Sequence, residues 1–312
     1  MKKKRFSWSL PAIAIIILIY ILTLFNWQAI LPKMELASAT EEKAYVKPQN
    51  LQQLQQADPS EVAKESKFDG RNYGIEMPVK DQNGYKICWA YATAHTVEAS
   101  LLRSGLVSLR DKNSLDLEPR NIANNTFNHQ PDPLGNNWQS KVENMDWNKG
   151  GWPHAVPQVF SQWRGLINSV WGSTNYLGYE KNLYQLNKAI YLPNDDRMAI
   201  KQAIVQYGAI AMAFPGGYNI KYFHEQNRNP HMGHAGSIIG WDDTIPKEQF
   251  QPHQPKTNGA WIVKDSYGTS PAEKGYFYMS YETVMSNMVA YDFVVQKRKE
   301  LWRGQNTILS PC

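Results

Sequence analysis

The sequence predicts an α+β protein in two lobes, with helices first and strands after. One sign is the run from Trp89 to Leu102, rich in alanine and leucine and free of Gly and Pro, which stops near Gly105 as a helix does. The second comes after Gly208, where short apolar runs (Ala209 to Phe214, Ala235 to Trp241, Ala260 to Lys264, Gly275 to Tyr281, Met288 to Val295) alternate with Gly, Pro, Asp and Asn clusters. Such runs read as strands of a mostly antiparallel sheet or barrel. The third is size: 312 residues, 42% hydrophobic, with eleven Trp and seventeen Tyr, suffice for a large aromatic-lined core.

The chain opens with Lys2, Lys3, Lys4 and Arg5, followed by an apolar run from Leu10 to Phe25 and a small-x-small end at Ala37-Ser38-Ala39. Residues 1–39 therefore read as a secretory signal cut after Ala39, or as an uncleaved membrane anchor if the run is extended to Leu31. Either way the charges precede the apolar segment and place the bulk of the chain outside the cytoplasm. A membrane is met only through that segment, if it stays uncleaved. Residues 40–66, with Gln at 49, 52, 53, 55 and 56, read as a polar spacer. The compact region begins near Phe68. Beyond the central helix, residues 107–149 are loop-rich, with a short helical signal from Pro119 to Phe127. Gly150-Gly151 marks a close turn before a helix from Pro153 to Arg164. A second helix is expected from Asn194 to Tyr207, where Met198, Ile200, Ala203, Ile204 and Tyr207 recur at helical spacing. Residues 297–312 form a basic tail ending in Cys312.

The formal charge of +5 excludes less than it suggests. Lys2, Lys3, Lys4, Arg5 and Lys33 carry all of it: removing these five from 33 basic residues leaves 28 against 28 acidic ones. No basic face remains for nucleic acid, and that class is rejected. Two cysteines, Cys88 and Cys312, make no disulfide framework.

Cys88 opens its helix, where unpaired N–H groups and the positive dipole end favour a thiolate, the nucleophilic form. Gln82, six residues upstream, can bring a side-chain amide to a developing oxyanion. A nucleophilic cysteine needs a base, and the base an orienting group. His234 immediately precedes an apolar strand, and Asp265 follows another (Trp261 to Lys264) where it enters a turn. Each residue also has a plain reading: Cys88 as a small buried hydrophobe, Gln82 as a loop cap, His234 as a core histidine, Asp265 and Gly150-Gly151 as turn residues. His231 with His234 has a spacing some metal sites use, but no further ligand completes a set. His95, two turns along the helix, reads as a packing or surface residue.

At these residues the chain resembles the papain family of cysteine peptidases, in the form of exported bacterial members. The family's Gln, then Cys-Trp-Ala-Phe, is met by Gln82 and Cys88-Trp89-Ala90-Tyr91; its His-Ala by His234-Ala235. Its Lys-Asn-Ser-Trp-Gly, then Gly-Tyr, is met by Lys264-Asp265-Ser266-Tyr267-Gly268 and Gly275-Tyr276; its substrate-side Gly-Gly by Gly150-Gly151. The resemblance spans roughly residues 67 to 295. It implies a papain-like two-lobed fold over residues 67–296: a helical left lobe (about 67–165) with Cys88, and a β-barrel-like right lobe (about 166–296) with His234 and Asp265. It also implies a thiol endopeptidase acting on peptides through an acyl-enzyme, with Gln82 at the oxyanion, Gly150 and Gly151 along the substrate, and neither metal nor organic cofactor.

The departures carry expectations of their own. Asp265 stands where the family has asparagine, which should raise the histidine pKa and shift the pH profile. Tyr267 stands for tryptophan, so the His234 contact is expected to be wetter. The stretch from Ala39 to Phe68 is too short for a folded inhibitory pro-domain. Two alternatives stay open: a catalytically weak or inactive surface binding protein of the same fold, and a cell-wall peptide amidase or transpeptidase. Oligomeric state and side-chain preference are not encoded legibly.

Overall fold

The centre of the molecule is a helix with almost no solvent face. The computed structural model describes residues 45–127, 148–161, 166, 184–216, 220–226, 233–269 and 274–295. Two short helices, α1 (Leu51–Gln56) and α2 (Pro59–Val62), precede the strand β1 (Lys67–Asp69) and the long helix α3 (Cys88–Arg103). The helices α4 (Pro119–Phe127), α5 (Pro157–Ser161) and α6 (Arg197–Tyr207) follow. Strands β2 (Tyr184–Tyr191), β3 (Ile210–Phe214), β4 (Tyr222–Phe223), β5 (His234–Asp242), β6 (Ala260–Lys264), β7 (Tyr276–Ser280) and β8 (Ser286–Val295) complete the order.

The strands form one eight-stranded sheet in the order β2-β8-β3-β5-β6-β7-β4, with β1 added on β5. All pairings are antiparallel except β4 with β7. Every residue of β3, β5 and β6 is buried, which is why these read in sequence as unbroken apolar runs rather than alternating ones. In α3 every residue after Cys88 is buried, so the helix shows little amphipathic pattern. Its polar side chains are consumed internally: the hydroxyls of Thr93 and Thr96 donate to the carbonyls four residues back, and Ser100 Oγ donates to Tyr291 O at 2.7 Å. Ser237 Oγ of β5 donates to Ala92 O at 2.8 Å. The sheet is thereby fastened along the helix.

Strand β2 gives no clear sequence signal because a register shift between Leu186 and Lys188 breaks its alternation. The helix expected from Asn194 starts at Arg197, behind an Asp196 side chain that accepts from Ala199 N. The helix expected from Pro153 is a 3-10 turn (Pro153–Ala155) followed by α5; Arg164 lies outside the described residues. So do the signal or anchor of residues 1–39, residues 128–147, the tail from 297 and Cys312. No helix among the described residues is long and apolar enough to cross a membrane.

The stretch expected as a polar spacer is instead part of the body from Lys47 onward. Its glutamines face solvent, while Leu54, Val62 and Ala63 are fully buried. Arg103, at the far end of α3, donates from Nη2 to Leu54 O at 2.9 Å, and Gln55 Nε2 returns a bond to Arg103 O at 3.0 Å. Composition was misleading because a short amphipathic helix needs only one or two apolar anchors per turn. Leu54→Ala should lower the unfolding free energy by about 2–5 kcal/mol in urea titration; a mere spacer would show no change.

Candidate active site

Cys88 is the first residue of α3 and is partly exposed. The N-terminus it occupies has no side-chain cap and no acidic residue in its first turn, so its positive end is left for other negative charge. Trp89, next in sequence, is fully buried with its ring edge-on to Phe127 at 5.1 Å. That packing fixes the first turn. Gly151 lies directly against the Trp89 indole, where a Cβ would sit 2.4 Å from Cε2. The Gly-Gly pair is thus held beside the helix start, and at Gly150 φ is +103°, a conformation suited to glycine.

His234 begins β5 and is almost fully buried. Its Nε2 meets Asp265 Oδ1 at 2.7 Å, and the Cys88 side chain lies near enough to act on the ring's charge. With Nε2 committed to Asp265, Nδ1, which has the Tyr267 hydroxyl at 3.5 Å, is the nitrogen on the side away from the carboxylate. Burial pushes the imidazole pKa down, but the hydrogen bonds and charges of Asp265 and Cys88 outweigh it and raise the value to about 9. The ring is therefore charged at neutral pH, as the aspartate substitution led one to expect.

Asp265 is held on two further sides. Its backbone N donates to Gly275 O at 2.9 Å, and Oδ1 accepts a second bond from Ser266 N at 2.7 Å. Tyr267 does not leave the contact wet. Its ring stacks flat on the imidazole, centroids 4.9 Å apart and planes 7° from parallel, while Phe214 closes another side edge-on at 5.4 Å. The His234 and Asp265 side chains keep only 3% and 13% of their exposure. The expectation of a wetter contact is overturned because a tyrosine ring is wide enough to roof an imidazole.

Gln82 is buried, and its amide is oriented at both ends. Oε1 accepts from Ser266 Oγ at 2.7 Å, and Nε2 donates one hydrogen to Tyr85 O at 2.6 Å. Its backbone N donates to Ser266 O at 2.7 Å. Tyr267 was read from sequence as the residue over the His234 contact, whereas the part Ser266 plays in orienting Gln82 was not. His95 is fully buried, so its packing reading stands and the surface one does not. His231 lies outside the described residues, and among those described no group of three or more His, Cys, Asp or Glu could hold a metal.

Comparison with known proteins bears on this arrangement. Residues 64–295 match the model of the papain family cysteine proteases. The chain belongs to that family. Cathepsin 7 of Rattus norvegicus is 24% identical over 222 residues, covering 67% of this chain and 59% of its own length; cathepsin K of Gallus gallus is 23% identical over 217 residues, covering 67% and 56%. The chain thus spans less than two thirds of the length of these curated relatives. In structure, the clostridial cysteine protease Cwp84 superposes with a TM-score of 0.60 at 21% identity, over 75% of this chain and 59% of that one. Bromelain from Ananas comosus gives 0.50 at 19% identity, over 73% of this chain and 99% of that one. Both likenesses speak for the fold: this papain-family chain has helices and a large, mostly antiparallel sheet.

Two outcomes follow from the charged imidazole. Asp265→Asn removes a cause of the elevated pKa, so the His234 titration, followed by NMR of the ring protons, should fall from about 9 toward 6.5. The second concerns stability. A histidine raised on folding contributes fully below its ordinary 6.5, and that contribution is lost as pH rises through about 9. Urea midpoints of the wild type should decline over that window more steeply than those of His234→Gln.

Proposed function

We propose that this chain is an exported thiol endopeptidase that hydrolyses peptide bonds through Cys88 and His234. The observation that carries the reading is the buried imidazole bonded to Asp265 at 2.7 Å beside Cys88, an environment that raises its pKa to about 9. The sulfur of Cys88 attacks the peptide carbonyl and forms a tetrahedral oxyanion. The Gln82 amide, which has a second N–H beyond the one given to Tyr85, and the Cys88 backbone N–H donate to that oxygen. The intermediate collapses to a thioester as the C–N bond breaks, and His234 gives its proton to the departing amine. Neutral His234 then takes a proton from water, whose oxygen attacks the thioester; the acid is released as sulfur leaves, restoring the thiolate and imidazolium. Asp265 orients the ring throughout. Gly150 and Gly151, lacking side chains beside the helix start, offer backbone groups to an extended substrate. Peptides or proteins are the partners.

Export is supported by the cationic residues 2–5 ahead of the apolar run. One structural neighbour of this fold is described as a surface layer associated protein of Clostridium difficile. Incubating the purified chain with a mixed peptide library and reading products by mass spectrometry tests the activity. Cys88→Ala should lower cleavage by roughly ten-thousand-fold or more, and Gln82→Ala should lower kcat about 100- to 1,000-fold with little change in KM. Cleavage by Cys88→Ala at the wild-type rate would refute the assignment.

A further inference from the structure

Beneath the catalytic residues lies a set of buried charges that the chemistry does not use. Lys264, the last residue of β6, keeps 1% of its side-chain exposure and Glu76 keeps 5%; Lys264 Nζ donates to Glu76 Oε2 at 3.1 Å and to Met77 O at 2.6 Å. A second pair, Lys80 with Glu98, meets at 2.9 Å, with the glutamate wholly buried on α3. Lys112 Nζ donates to the carbonyls of Gly74 and Glu76, fixing the backbone that carries Glu76. Such pairs add little stability, because desolvation offsets their attraction. Their value has to lie elsewhere, and the geometry around Asp265 indicates where.

In extended chain, successive side chains point to opposite sides. Lys264 and Ser266 both point at the segment 76–82, where they bind Glu76 and Gln82. Asp265, between them, points the other way, at His234. The strand end is thus gripped before and after the one residue that meets the imidazole. Backbone bonds reinforce the grip: Gly268 N donates to Lys80 O, and Asp81 bridges Tyr267. A rotation of this strand end would carry Asp265 out of line and release the Gln82 amide together.

We propose that Glu76 and Lys264 are positioning residues, a buried clamp that sets the angle at which Asp265 meets His234. The proposal rests on the peptidase reading for its consequence in turnover. The charged or titratable groups around the clamp are Asp69, Lys80, His95, Glu98, Lys112 and Tyr276; those around His234 are Asp265, Cys88 and Tyr267.

The test uses the full chain and a double variant, Glu76→Leu with Lys264→Met, which removes the clamp without stranding a lone buried charge. Alkylation by iodoacetate is followed against pH on the Cys88 peptide by mass spectrometry. The anionic reagent is drawn by the imidazolium, so its rate falls where His234 loses its proton. Thermal unfolding and peptide turnover are measured beside it. The clamp predicts cooperative unfolding, an alkaline limb lowered by about one pH unit or more, kcat reduced roughly 10- to 100-fold and KM within about twofold. Glu76→Gln, which keeps its size and an acceptor for Lys264, should move the limb the same way by less. A double variant that folds and keeps limb and kcat overturns the proposal. If it does not fold, Glu76→Gln decides: a lowered limb supports the clamp and an unmoved one overturns it. Alkylation needs no turnover, so a wild type that labels but cleaves no peptide refutes the peptidase reading while still testing the clamp.

Discussion

The constraint on which this molecule turns is the maintenance of a positive charge on an imidazole almost out of reach of water. Burial alone would neutralise His234, and the surroundings are arranged to prevent it: a carboxylate at 2.7 Å on one nitrogen, the Cys88 side chain near the ring, and a flat aromatic roof. Each of these must be placed by a different part of the chain. The sulfur comes from the start of α3, the carboxylate from the end of β6, and the imidazole from the start of β5. The fold can be understood as the means of bringing those three termini together.

That requirement explains why α3 is enclosed on every side. A helix resting on one face could shift by a fraction of a residue; one whose hydroxyls are bonded to its own carbonyls and to the strands cannot do so cheaply. Sheet register adds the same stiffness. β5 is paired with β3 on one side and β6 on the other, so the ends that carry His234 and Asp265 are related by the ladder itself.

Much of this was legible in sequence, and the failures have physical causes. The long helix, α4, α6 and five strands were readable because deep burial writes long apolar runs. Cys88, His234 and Asp265 stand out in sequence because each lies at an element's edge, and Gln82 because it precedes Cys88 by six residues. Strand β2 was hidden by its register shift, and the packing of residues 51–63 by a glutamine-rich composition whose few apolar positions carry the contact. The Tyr267 stacking was missed because a residue type reports ring size but not tilt. Glu76 sits in an otherwise apolar stretch, Ile75 to Val79, an acid whose partner lies 188 residues away. No local pattern reveals such a pairing.

The residues just after Lys47 grip α3 at Arg103, the end opposite Cys88. Fifteen residues of helix separate the two, roughly 22 Å at the usual rise. A solid support, fluorophore or carrier domain joined ahead of Lys47 would take its attachment from the rear of that rod. The protein thus lends itself to immobilisation with its sulfur still reachable from solution.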